Sequence, residues 1–124
     1  MTKTAAIIGA SADRSKFGNK AVRAFRLAGD EVYPVNLHEQ FIEGLKAYKS
    51  LNEIPGTVDV ASVYVRSDVG LTIAPQIIDK GVKEVFLNPG TASEPLLTYL
   101  EERGVRVRQE CSITAQGFRP VDFT

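Results

Sequence analysis

The 124 residues include one cysteine, one histidine, one methionine and no tryptophan. Cys111 has no second thiol to pair with, so no internal disulfide forms and a reducing, cytoplasmic setting is expected. An excess of charge of either sign is also missing. Fifteen Lys and Arg balance 15 Asp and Glu, which argues against a general nucleic-acid or membrane surface while leaving room for local basic clusters. No apolar window reaches membrane-spanning length, and no signal peptide is visible at Met1-Thr2-Lys3. Repeats and low-complexity tracts are absent. At 44% hydrophobic and 24% charged residues, the chain suits one globular domain over residues 1–124 with a real core.

Two nucleotide signatures are missing as well. A dinucleotide fingerprint needs Gly-x-Gly-x-x-Gly after the first strand, but the chain reads Gly9-Ala10-Ser11-Ala12-Asp13-Arg14-Ser15-Lys16-Phe17-Gly18. Asn36 stands where a ribose-binding carboxylate would end the second strand. NAD is therefore disfavoured. No Gly-Lys-Ser/Thr closes the loop, which argues against an ATPase or GTPase.

What is present is a strand, a small-residue turn and a helix. Thr4 to Ile8 suits a strand buried on both faces, and Gly9-Ala10-Ser11 lets the backbone bend close to a ligand. A helix over Gly18 to Ala28 would aim its free N–H groups and positive dipole end at that turn, where a phosphate fits. Arg14 and Lys16 lie beside this site. A branched side chain at Gly9 is expected to fill the ligand's space without disturbing the fold.

Strands are predicted over Glu31 to Asn36, Val58 to Val65, Glu84 to Leu87 and Val105 to Arg108. Helical patterns run over Asp68 to Lys80 and Ser93 to Arg103, and Pro75 should kink or shorten the first of them. Pro34 argues for a strand end or an edge-facing nitrogen. Between Leu37 and Gly56 one short helical turn is expected, and the tail after Cys111 has no clear periodicity. This alternation predicts a Rossmann-like, doubly wound parallel α/β sheet of five strands in the order 3-2-1-4-5, with helices on both faces. Ligands of such sheets sit at the carboxyl ends of the strands.

In order and spacing the chain resembles the small CoA-binding proteins, which are built like the N-terminal domain of the succinyl-CoA synthetase α subunit. The resemblance runs from Ile7 to about Ser112. It rests on Gly9-Ala10-Ser11 with Lys16 and Asn19, on Val32-Tyr33-Pro34-Val35-Asn36, and on Gly44-Leu45-Lys46-Ala47-Tyr48 with Leu51 and Ile54-Pro55. Gly81-Val82-Lys83-Glu84-Val85 and Cys111 complete it. It implies that the first turn and helix carry the CoA pyrophosphate near Lys16. Asn36 and the residues after it would border the adenosine half, and Val65, Arg66, Asn88, Pro89 and Gly90 would line the cleft further along. The chain departs from that family twice: it has Leu37-His38 where Pro-Lys is common, and Arg66 where proline is common. Arg14, Lys16 and His38 are expected to hold the 3'-phosphate of CoA.

No catalytic residue and no metal site are expected. The phosphorylated histidine of succinyl-CoA synthetase belongs to a second domain of that subunit, and Cys111 has no histidine beside it in sequence. The chain thus reads as a binder of CoA or an acyl-CoA that acts as a carrier, sensor or accessory module. The alternative is an NAD(P)-binding or CoA-transferring enzyme component completed by another chain. Nucleic acid and membrane are not expected partners; a protein partner or a homo-oligomer is left open.

Overall fold

Thr4–Ile8 forms β1, in which Ala5 and Ile7 point into one core layer and Ala6 and Ile8 into the other. A strand buried on both faces needs parallel neighbours and helices above and below it. The computed structural model describes residues 3–124. After β1 come α1 (Phe17–Leu27), β2 (Glu31–Val35), β3 (Phe41–Ile42), β4 (Leu45–Lys46) and β5 (Val60–Val63). Then follow α2 (Ser67–Asp79), β6 (Glu84–Leu87), α3 (Glu94–Glu102), β7 (Arg106–Arg108) and α4 (Ser112–Ala115). Five strands make one parallel sheet in the order β2-β1-β5-β6-β7. The α/β class expected from sequence is the one observed, with α1 and α4 on one face and α2 and α3 on the other.

The strand order is a correction. Counting only the main sheet it is 2-1-3-4-5 rather than 3-2-1-4-5, because β5 enters beside β1 and not outside β2. The outer edge of β2 is already taken: the Tyr48 N–H donates to the Pro34 carbonyl, and the Asn36 N–H donates to the Tyr48 carbonyl, each at 2.9 Å. Pro34 N points the same way as its carbonyl and has no hydrogen to offer, which suits an edge strand. From Tyr48 the chain rounds that edge and reaches the α2 face, where Leu51 and Ile54 are buried. A right-handed return on the face opposite α1 then delivers β5 next to β1. The order reverses between β1 and β5, and their carboxyl ends flank the crevice.

Other differences are local. Residues 37–56 contain the β3–β4 hairpin as well as a 3-10 turn over Leu51–Glu53. Pro75 does not interrupt α2, which runs unbroken for 13 residues. Pro75 and Leu71, whose carbonyl loses its partner there, are both on the exposed side. The tail forms α4 and a 3-10 turn over Pro120–Phe123, whose Phe123 packs into the α1 layer. Among the described residues no helix is long and apolar enough to cross a membrane.

Candidate functional site

Gly9 ends β1 with φ 85°, a conformation open to glycine, and it runs against the first residues after β5. A Cβ on it would lie 2.9 Å from the carbonyl carbon and oxygen of Tyr64. Gly18 makes the second close approach, since a Cβ there would overlap the Gly9 carbonyl oxygen. These two glycines let α1 begin directly over the end of β1.

Hydrogen bonds hold the turn in place from both sides. The N–H groups of Gly9 and Ala10 donate to the Val35 carbonyl, both at 3.2 Å. Asn36 Nδ2 donates to the Ala10 carbonyl at 2.8 Å, and Asn36 Oδ1 accepts from the N–H groups of His38 and Glu39. Ser11 Oγ accepts from the Asp13 N–H. Asp13 Oδ1 accepts from the Ser15 hydroxyl and N–H, and these bonds hold the Asp13 carboxyl below its ordinary range.

Two cavities open at this edge. One of about 560 Å³ lies among the starts of α1 and α2 and the turn after β6, with Ser11, Lys16 and Gly18 facing Tyr64, Arg66, Pro89 and Gly90. The other, of about 410 Å³, is bordered by Leu37, Leu51, Val69 and Ile73, with His38, Lys49 and Gln76 around it. Gly9, Asn36 and Val65 line both, so the cavities are two parts of one groove.

The first part gathers positive charge and a helix start. The opening amides of a helix have no intrahelical acceptor, and Phe17 and Gly18, the first residues of α1, line this cavity. Lys16 precedes them and makes no ion pair among the described residues. Arg66 stands on the opposite wall, 2.7 Å from Asp68, and the bond raises the Arg66 pKa and lowers that of Asp68. Both side chains are well exposed, so the pair is weak and a ligand can compete for Arg66. Tyr64 lies lower in the wall; burial pushes its phenol up, and its OH meets Ser112 Oγ at 3.1 Å. The second part offers an apolar slot with a few polar groups at its rim, the kind of space a flat ring occupies.

A family model described as a CoA binding domain matches residues 3–117. The chain belongs to this CoA-binding domain family. It is 41% identical over 83 residues to the α subunit of the ADP-forming acetate–CoA ligase II of Pyrococcus furiosus, which covers 66% of this chain and 18% of that subunit. An uncharacterized protein of Bacillus subtilis is 28% identical over 112 residues, covering 90% of this chain and 83% of its own length. Among solved structures, a conserved hypothetical protein from Pyrococcus furiosus superposes with a TM-score of 0.82 at 36% identity, covering 93% of this chain and 99% of the other. The dinucleotide-forming acetyl-coenzyme A synthetase 1 of Ca. Korarchaeum cryptofilum, solved with phosphate and ADP, gives 0.77 at 30% identity and covers 87% of this chain and 25% of its own. The chain thus spans only a fraction of the ligases it matches.

Within this CoA-binding domain, Gly9, Ala10, Ser11, Lys16, Asn36, Val65, Arg66, Pro89 and Gly90 line the first part of the groove, and His38 lines the apolar part. Arg14, Asn19 and Asn88 line neither. Arg14 Nε lies 3.4 Å from Glu43 Oε2. Asn19 is fully buried, with Nδ2 donating to the Ser11 carbonyl and to Glu43 Oε2, and Oδ1 accepting from Arg23 Nε. Asn88 sits beneath the floor, where Nδ2 donates to Ser62 Oγ and the Val63 carbonyl and Oδ1 accepts from the Ser112 N–H. Cys111 is half-buried and outside both cavities.

Sequence reasoning missed Phe17, Gly18, Tyr64 and Thr91 in the first part and Val69, Thr72, Ile73 and Gln76 in the second. The α2 residues are spaced i, i+3, i+4, i+7 and so form one stripe of the helix. That spacing was available in the sequence, and Gly18 at a helix start was a signal too.

Proposed function

We propose that this domain binds coenzyme A or an acyl-CoA along the groove, as a stand-alone carrier, sensor or accessory module without a catalytic centre of its own. The start of α1 carries the reading: Gly18 brings its free amides onto the Gly9 turn, with Lys16 beside them. The pyrophosphate sits there. The adenosine half lies past Asn36 and His38 in the apolar part, and the remainder of the ligand runs toward Arg66, Pro89 and Gly90. Membership of the CoA-binding family supports this assignment, as does Asn36, which offers no carboxylate to a ribose hydroxyl. Its setting is a reducing cytoplasm, with nucleic acid and membrane not among its partners. The ligase relatives favour one second reading, a CoA-transferring component completed by a partner chain.

Mass spectrometry of the small molecule that co-purifies is the direct test. In calorimetric titration CoA should bind at least about tenfold more tightly than NAD, a gap of roughly 1.4 kcal/mol. Equal affinities would return the dinucleotide reading.

A second titration addresses the 3'-phosphate. Arg14 lines neither part of the groove and lies against Glu43, which leaves Lys16 on the pyrophosphate side and His38 on the adenosine side as the cations for this group. CoA should outbind dephospho-CoA, by up to the roughly 1.5–3 kcal/mol of a charge-assisted bond less solvent screening. Lys16→Ala should remove most of the difference, and His38→Ala measures the share held from the adenosine side. If Lys16→Ala leaves the difference intact, the phosphate lies elsewhere.

A further inference from the structure

Glu43 is the one non-glycine residue among those described with left-handed backbone, at φ 51°. It opens the two-residue turn between β3 and β4, followed by Gly44 at φ 77°. Such turns favour Asn or Asp before Gly, and a glutamate held in this conformation is strained. Here the side chain reaches across to α1. Oε2 accepts from Asn19 Nδ2 at 3.0 Å and lies 3.4 Å from Arg14 Nε, while the Glu43 carbonyl accepts from Arg26 Nη1 at 2.8 Å. The side chain is only 19% exposed. Asn19 gives its other amide hydrogen to the Ser11 carbonyl, and Arg23 joins Asn19 Oδ1 to the Arg14 carbonyl. A strained hairpin tip is thereby wired to both ends of the loop that faces the anion.

A carboxylate beside an anion site opposes the ligand's charge unless a cation answers it. Arg14, 3.4 Å away, answers it, and the largely buried carboxylate of Glu43 draws it toward the hairpin. We infer that Glu43 is the positioning residue of the anion-binding turn: it orders the 11–16 loop through Asn19 and occupies Arg14, leaving Lys16 as the loop's cation for the ligand. Only the last clause rests on the proposed ligand. Loop ordering is measurable without one.

Hydrogen exchange on the ligand-free protein reads the first part. Glu43→Ala should speed exchange of the 11–16 amides by about tenfold, while Glu43→Gln, which keeps an acceptor for Asn19, should restore most of the protection. Amides of α3, away from the hairpin, report any general loss of stability. Titration with CoA reads the second part. Arg14→Ala in the parent chain should change affinity by less than about threefold, and Lys16→Ala by about tenfold or more. In the Glu43→Gln background the freed Arg14 should tighten binding, and adding Arg14→Ala should abolish that gain. Unchanged loop exchange in Glu43→Ala, or an Arg14→Ala loss equal to that of Lys16→Ala, overturns the inference. If no variant and no parent chain binds CoA, the proposed ligand falls and the exchange result alone decides the role of Glu43.

Discussion

A chain carrying Gly9→Val is expected to lose a large part of its stability, not merely ligand binding. The sequence suggested a folded, binding-defective variant, but a Cβ at Gly9 would stand 2.9 Å from backbone atoms of Tyr64, and backbone cannot step aside like a side-chain tip. The left-handed conformation adds its own penalty for a branched residue. Strain and overpacking together amount to about 2–5 kcal/mol, a large part of the roughly 5–15 kcal/mol that holds a domain folded. Urea denaturation followed by circular dichroism should show a midpoint far below that of the parent, or no cooperative transition. An unchanged midpoint would mean that β1 and β5 separate more easily than their packing indicates. Gly18→Ala probes the same junction without a left-handed backbone, but its Cβ would overlap the Gly9 carbonyl oxygen and stand 3.3 Å from Ala10 Cα, so it too should destabilise the fold.

Removal of the Asn88 side chain should be at least as severe. Asn88→Ala strips partners from Ser62 Oγ, the Val63 carbonyl and the Ser112 N–H in a region closed to water. Ser62 keeps its 2.7 Å contact with Ser112 Oγ, but the Ser112 N–H is orphaned at the start of α4. At about 1–3 kcal/mol for each buried group left bare, the loss is expected to reach about 3–5 kcal/mol. Thermal unfolding measures that loss, and hydrogen exchange should locate the first opening at α4. A stable Asn88→Ala protein with weakened CoA binding would instead make Asn88 a ligand contact, as its place in the sequence suggested.

That contrast explains what could and could not be read in the chain. The layered α/β class followed from valine-rich runs alternating with helical stripes, since burial on two faces leaves a one-dimensional trace. The turn after β1 and the helix that follows it were legible because glycine and small residues end an apolar run and a helical stripe begins a few residues later. Strand order was not, because it turns on Tyr48 closing the β2 edge, a pairing between segments with no shared pattern. The β3–β4 hairpin was hidden for a related reason: its turn uses Glu43, which serves α1 and not the preference of the turn. Asn19, Asn36 and Asn88 look alike as polar residues near the carboxyl edge. Only burial and bonding separate Asn36, which faces the groove, from two that brace it.

The closed edge of β2 also bears on how this protein meets its own kind. Open sheet edges are templates on which a second chain can add a strand. An incoming strand at β2 would find Pro34 with no hydrogen to give and its carbonyl already bonded to the Tyr48 N–H. At the opposite edge β7 offers three residues, two of them the charged Arg106 and Arg108. Both ends of the sheet are therefore poor seeds for strand-to-strand aggregation, which leaves the helical layers and the loops as the freer surfaces.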